Sequence, residues 1–102
     1  MATDLAEAAV VASKACDAGD EVGCGSLGAA YYYGEGVDKD RARAVPLFRK
    51  ACAGGIASSC LLLGLAYRHG EGVAKDDEKA ARSLHKACEA KNDLACELLR
   101  SP

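Results

Sequence analysis

A chain of 102 residues and 10.5 kDa has room for one domain with a modest core. Its 13 basic and 15 acidic residues are interspersed and leave a formal net charge of −2, which argues against nucleic acid or an anionic membrane as the partner. No apolar stretch approaches the roughly 20 residues of a membrane span, and the opening MATDLAEAAV carries Asp and Glu where a secretory signal carries Lys or Arg. Half of the residues are hydrophobic, yet the chain has one Phe, four Tyr and no Trp. Small Ala-rich faces of this kind favour closely set helices.

The first helix is expected to start after Asp4, whose carboxylate suits an N-cap and which forms a capping-box pattern with Glu7. Ala18 and Gly19 end that helix, because residues tolerant of the left-handed conformation commonly follow a helix C-terminus. A second helix follows, and then the loop YGEGVDKD, in which Gly34 and Gly36 can take positive φ while Val37 tucks inward. The whole arrangement then recurs. Lys14, Lys50 and Lys86 each open a Lys-Ala-Cys triplet 36 residues after the last, and Cys24, Cys60 and Cys96 keep the same step.

In the second unit Asp40 is the expected cap. Ala44, Leu47, Phe48, Ala51 and Cys52 fall on one face of a helix that Gly54 and Gly55 close. Pro46 lies at the sixth helical position, so a kink or a late helix start is expected there. Ile56, Cys60, Leu63, Gly64 and Tyr67 recur at helical spacing, with Gly64 admitting another helix at close range, and the loop HGEGVAKD follows. The third unit is capped by Asp76, with Asn92 in the left-handed turn position, and it ends with Arg100 where the earlier units carry the close-packing Gly. A bulky charge there reads as a terminal cap or a truncated array. One all-α domain over residues 1–102 is therefore expected: an α/α solenoid of about three hairpins and six helices, with units near 4–39, 40–75 and 76–102.

Six cysteines allow 15 disulfide connectivities in principle. Units of like sequence should fold alike and pair locally, which favours Cys16 with Cys24, Cys52 with Cys60, and Cys88 with Cys96. Closing such short loops would stabilise the fold by roughly 2 to 3 kcal/mol each. The alternatives are six reduced, buried thiols, or a zinc site drawing on His69 or His85, although the close C-x2-C spacing of zinc sites is absent. Disulfides would imply an oxidising compartment, periplasmic, secreted or the mitochondrial intermembrane space, even though this chain shows no signal peptide. No metal or cofactor is assigned.

The string Lys-Ala-Cys, seven residues, Cys, then Leu-Gly-x-x-Tyr-x-x-Gly-x-Gly-Val-x-Lys-Asp resembles the Sel1-like repeat. Its cysteine-bearing form is similar to the Helicobacter cysteine-rich proteins. The residues concerned are Cys24, Leu27, Gly28, Tyr31, Gly34, Gly36, Val37, Lys39 and Asp40, repeated from Cys60 to Asp76. The resemblance implies a right-handed superhelix related to tetratricopeptide repeats, serving as an adaptor or scaffold for a protein or peptide, and a monomer is expected. By analogy with the tetratricopeptide fold, a concave face would be lined by the second helix of each hairpin. Its lining positions are Val22, Gly25, Ala29, Tyr32 and Tyr33, then Ser58, Leu61, Leu65, Arg68 and His69. Of these, Tyr32, Tyr33, Leu61, Leu65, Arg68 and His69 are the candidate partner-binding residues, Tyr and Arg being frequent anchors of interfaces. Packing of Tyr32 and Leu61 against neighbouring helices is the competing expectation.

The resemblance also carries a catalytic alternative, since some members of the Helicobacter group are linked to penicillin binding or β-lactamase activity. Ser83, Leu84, His85 and Lys86 spell the S-x-x-K of serine β-lactamases, but the accompanying S-D-N and K-T-G elements are absent. Lys86 is moreover the repeat copy of Lys14 and Lys50. Glu35 and Glu71 are expected to project from their loops into solvent, and the acidic run Asp76, Asp77, Glu78 reads as helix capping. No catalytic residue is assigned, and the chain is read as a binding module and not an enzyme.

Overall fold

Asp4, Asp40 and Asp76 each take an extended backbone and turn their carboxylates onto amide groups of the helix that follows. Asp4 accepts from Ala6 and Glu7, Asp40 from Arg43, and Asp76 from Lys79. Each contact satisfies an amide that has no partner inside the helix. The computed structural model describes residues 4–100, and these caps open three of its six helices: α1 (Leu5–Asp17), α3 (Arg41–Ala53) and α5 (Asp77–Glu89). The others are α2 (Glu21–Tyr33), α4 (Ala57–His69) and α6 (Asp93–Arg100). No strand occurs among the described residues. Helix starts thus repeat with the 36-residue step of the sequence. Each helix packs chiefly on the next one in the chain, giving an elongated body of 42 × 26 × 24 Å.

One of the two alternatives expected at Pro46 is removed, and one local expectation in the third unit is corrected. Pro46 lies inside α3, yet that helix starts at Arg41, in step with α1 and α5, so there is no late start. Proline removes the hydrogen bond that its missing amide would have made and its ring crowds the carbonyl one turn earlier, yet the Asp40 cap still sets the helix start. In the third unit the left-handed residue is Lys91, at φ 74°, and not Asn92. Lys91 occupies the repeat position of Gly19 and Gly55, whose φ values are 94° and 89°. Its amide bonds the Cys88 carbonyl while that of Asn92 bonds Ala87, the paired reversal that also ends α1 and α3. Asn92 serves instead as a cap, its side chain accepting from the Ala95 amide at 2.9 Å.

These tight turns bring the two helices of each hairpin together at their cysteines. Disulfides join Cys16 to Cys24, Cys52 to Cys60 and Cys88 to Cys96, with Cα separations of 4.4, 4.6 and 4.7 Å. No free cysteine remains among the described residues, so the reduced-thiol and zinc alternatives fall away.

Between hairpins the contact depends on glycine. A β-carbon at Gly28 would stand 2.9 Å from the Phe48 ring, and one at Gly64 would stand 2.8 Å from Leu84. Hydrogen at these two positions lets α3 and α5 press large side chains onto α2 and α4. Phe48 and Leu84 are among the most buried side chains of the core, which continues through Val45, Leu63, Ala66 and Tyr67. The following loops are tied down at both ends. The Asp40 amide donates to the Tyr31 carbonyl and that of Asp76 to Tyr67, at 2.8 and 2.9 Å. No described helix is long and apolar enough to cross a membrane.

Candidate partner-binding surface

The three consecutive tyrosines at the end of α2 divide between three environments, as a helical step of 100° per residue requires. Tyr31 is half-buried with the Arg43 guanidinium 5.2 Å from its ring, and its repeat copy Tyr67 has Lys79 at 5.7 Å in the corresponding place. Tyr67 also accepts a hydrogen bond from Arg49. Tyr33 is 54% exposed and meets Tyr32 edge to face at 5.2 Å. Tyr32 is buried, packs against Phe48 at 5.7 Å, and is covered by the Arg41 guanidinium 4.5 Å from its ring centroid.

A small polar cluster closes over Tyr32. Its hydroxyl donates to Glu71 at 2.6 Å, and Glu71 also forms an ion pair with Arg41. Arg41 Nε donates to the Tyr32 carbonyl at 3.4 Å. The loop after α4 delivers Glu71 because Gly72, at φ 79°, rests on the backbone of Arg41, where any β-carbon would overlap the Arg41 carbonyl. Three elements of two hairpins therefore converge: the end of α2, the start of α3 and the loop after α4. Burial and the hydrogen bond to Glu71 push the Tyr32 phenol up to about 12. The same hydrogen bond, with the Arg41 charge, holds Glu71 below the usual carboxylate range.

Glu71 is thus not the solvated projection expected from the sequence. Its copy Glu35 is exposed, and the position matching Arg41 in the first unit holds Leu5. Arg41 was missed for the reason that makes it informative: it is a departure from the repeat, with Leu5 and Asp77 at its register positions. A basic residue that replaces its copies one helix away from an unmatched tyrosine is the signal that could have found it.

Of the candidate contact residues, Tyr32 is spent on packing, while Tyr33 and His69 are exposed. Leu61, Leu65 and Arg68 are half-buried. Arg68 lines a crevice with Asp77, Leu84 and Leu98, in the register positions where the preceding units place Tyr32 and Arg41. Val22, Gly25, Ala29 and Ser58, which the analogy grouped, do line one groove between α2 and α4, along with Ile56 and Leu62. The S-x-x-K residues lie on α5, with Ser83 half-buried, Lys86 exposed and no hydrogen bond between them.

A family model described as the Sel1 repeat matches residues 23–56 and 57–92, more than half of the chain. The chain belongs to the Sel1 repeat family. The matched frames start near the second helix of each hairpin, so a Sel1 frame joins α2 to α3 and α4 to α5 across the glycine contacts, while the disulfides join the hairpins themselves. Among solved structures, Helicobacter pylori cysteine rich protein B is similar at 35% identity and a TM-score of 0.83, covering 89% of this chain and 68% of that one. A protective antigen of uropathogenic Escherichia coli displaying the same repeat fold matches at 35% identity and TM-score 0.90, covering 94% and 21%. A Sel1 repeat protein from Oxalobacter formigenes matches at 31% and 0.88, covering 94% and 39%. The chain thus spans well under half the length of the latter two. A comparison with curated protein sequences finds no match. Sel1 repeats are protein-interaction modules, and the disulfide-linked hairpins place this chain among their cysteine-rich solenoids.

Proposed function

We propose that this chain is an adaptor that holds a protein or peptide segment against the surface formed by α2 and α4. The observation that carries the reading is the groove between those helices, whose floor is small and apolar at Gly25 and Ala29 and whose walls are Val22, Ile56 and Leu62. Exposed Tyr33 and His69 extend the same two helices at their C-terminal ends. Rigid aromatic side chains beside an apolar groove suit peptide capture, because they lose little conformational freedom on binding. Tyr32 enters this surface indirectly, by holding Tyr33 at its edge. The module works in an oxidising compartment, periplasmic or secreted, a reading supported by three disulfides in a chain of this size.

The test is affinity capture from the source cells under non-reducing conditions, followed by Ala29→Glu and Tyr33→Ala. Both changes should abolish recovery of the same partner while helicity and all three disulfides persist. Capture that survives both moves the binding surface elsewhere.

A further inference from the structure

The α2 and α4 helices that form the groove pack chiefly on other elements, α2 on α1 and α3, and α4 on α3 and α5. Two ties join them directly. One is the groove floor, where a β-carbon at Gly25 would stand 2.5 Å from the Ser59 hydroxyl oxygen. The other is the hydrogen bond from the Tyr32 hydroxyl, at the end of α2, to Glu71. Glu71 is fixed to the end of α4, because its amide donates to the Ala66 carbonyl at 2.9 Å. Arg41 of α3 braces both partners, pairing with the Glu71 carboxylate and donating to the Tyr32 carbonyl. Docking of the loop does not need this cluster. Gly36 rests on the Leu5 backbone as Gly72 rests on that of Arg41, with φ 79° in both, yet Leu5 has no charge to offer Glu35. The three polar groups are therefore additional to what seats the loop.

We propose that Tyr32, Arg41 and Glu71 form an acid-released latch on the α2/α4 groove, an inference that rests on reading that groove as the partner site. Ionised Glu71 holds the C-terminal ends of α2 and α4 together and, through the edge contact of Tyr32 with Tyr33, keeps Tyr33 beside the groove. Protonation removes the ion pair with Arg41 and turns the charge-assisted bond from Tyr32 into a weaker neutral one. The two helix ends are then free to swing about the Gly25 contact, which unmakes the groove. The groups facing Glu71 are Tyr32 from α2, Arg41 from α3 and His69 from α4. The hydrogen bond from Tyr32 holds the carboxyl below its usual range against the opposing effect of desolvation, and the charges of Arg41 and His69 add to it. The latch thus stays shut at neutral and mildly acid pH and opens in stronger acid.

The test is an acid titration followed by NMR at the Glu71 carboxyl and at Ala29, Tyr33 and Leu62, with no partner present. The groove signals should move with the same midpoint as Glu71, below that of an ordinary glutamate. Glu71→Gln leaves Tyr32 an acceptor but no charge. It should give the acid-state signals at neutral pH, show no acid step, and exchange the amides of Tyr33 and Gly34 faster by about tenfold or more while those of Gly25 and Ser59 stay unchanged. Arg41→Leu, the residue that the first unit carries there, should move the Glu71 midpoint upward. Helicity and the three disulfides are checked throughout, and the wild-type titration decides the matter by itself if a variant does not fold. Groove signals that titrate apart from Glu71 overturn the latch. So does Glu71→Gln with wild-type signals and exchange at neutral pH, or a Glu71 midpoint that Arg41→Leu leaves unmoved. Because no partner enters the titration, a failed capture leaves the latch standing, and a failed titration leaves the groove as the partner site.

Discussion

At Tyr32 a phenol, a carboxylate and a guanidinium meet under partial cover, and each depends on the other two. Glu71 is held ionised by a donor and a cation, and Tyr32 is held neutral by burial and by the carboxylate it bonds. The signs follow directly. The folded pKa of Tyr32 is raised from 10.0 to about 12, so its contribution is complete below pH 10 and is lost as pH rises through the window from 10 to about 12. Two units correspond to roughly 2 to 3 kcal/mol across that window. Glu71 is lowered from 4.5, so its contribution is present above that value and fades as pH falls through the lowered one. Tyr32→Phe should therefore cost about 1 kcal/mol at neutral pH, flatten the alkaline limb of stability and remove one late-titrating phenol from the ultraviolet absorbance titration. An alkaline limb unchanged by the substitution would place the titrating group elsewhere. Lys91 offers the opposite experiment. Its φ of 74° is strained for any residue with a β-carbon, and Gly19 and Gly55 show what the turn prefers. Lys91→Gly should raise stability by about 0.5 to 1 kcal/mol, measured by denaturant unfolding, despite removing a side chain.

Helices and turns were the most legible part of the sequence, because caps, glycines and apolar spacing all act locally. Asp4, Asp40 and Asp76 cap as their position predicts, and Gly28 and Gly64 admit the large side chains their size invites. What was not legible depended on pairs brought together across the chain. Glu71 and Tyr32 are 39 residues apart, and neither pattern nor periodicity announces that they touch. Of the two outcomes that Pro46 left open, the late start of α3 does not occur, because the cap expected at Asp40 and the burial of Val45 and Phe48 outweigh the missing hydrogen bond. Burial also separates the three disulfides, which the repeat alone makes look equivalent. Cys24 and Cys60 are fully buried and Cys16 and Cys52 nearly so, whereas Cys88 and Cys96 are only half-buried. Thiol exchange requires access to sulfur, so limited reductant should open Cys88–Cys96 first. Mass spectrometry after trapping with an alkylating agent reads that order directly. Opening Cys16–Cys24 or Cys52–Cys60 ahead of it would show that access does not control reduction here.

Across the whole molecule, two kinds of bond alternate along the axis: a disulfide and a tight turn inside each hairpin, and packing on a glycine between hairpins. The former are covalent and local, and the latter are contacts that one methyl group can disturb. Because each helix packs mainly on its neighbours in sequence, stability should be close to a sum of hairpin terms and nearest-neighbour interface terms. Gly64 isolates one such interface term. A valine there would drive its β-carbon to within 2.8 Å of Leu84 and crowd the Ala80 carbonyl at 3.3 Å, at a cost of about 1 to 3 kcal/mol. That cost falls on the α4 to α5 contact, since the atoms the added β-carbon would meet all belong to Leu84 and Ala80 of α5. Gly64→Val should therefore speed amide hydrogen exchange across α5 and α6 by about tenfold or more while α1 to α3 keep their protection. Uniform acceleration over all six helices would mean that the solenoid unfolds as one cooperative unit, with interface coupling stronger than glycine packing alone supplies. Protection lost only downstream of α4 would show that hairpins bound by covalent staples are joined to one another by replaceable contacts, the property that lets a repeat array change its length without changing its parts.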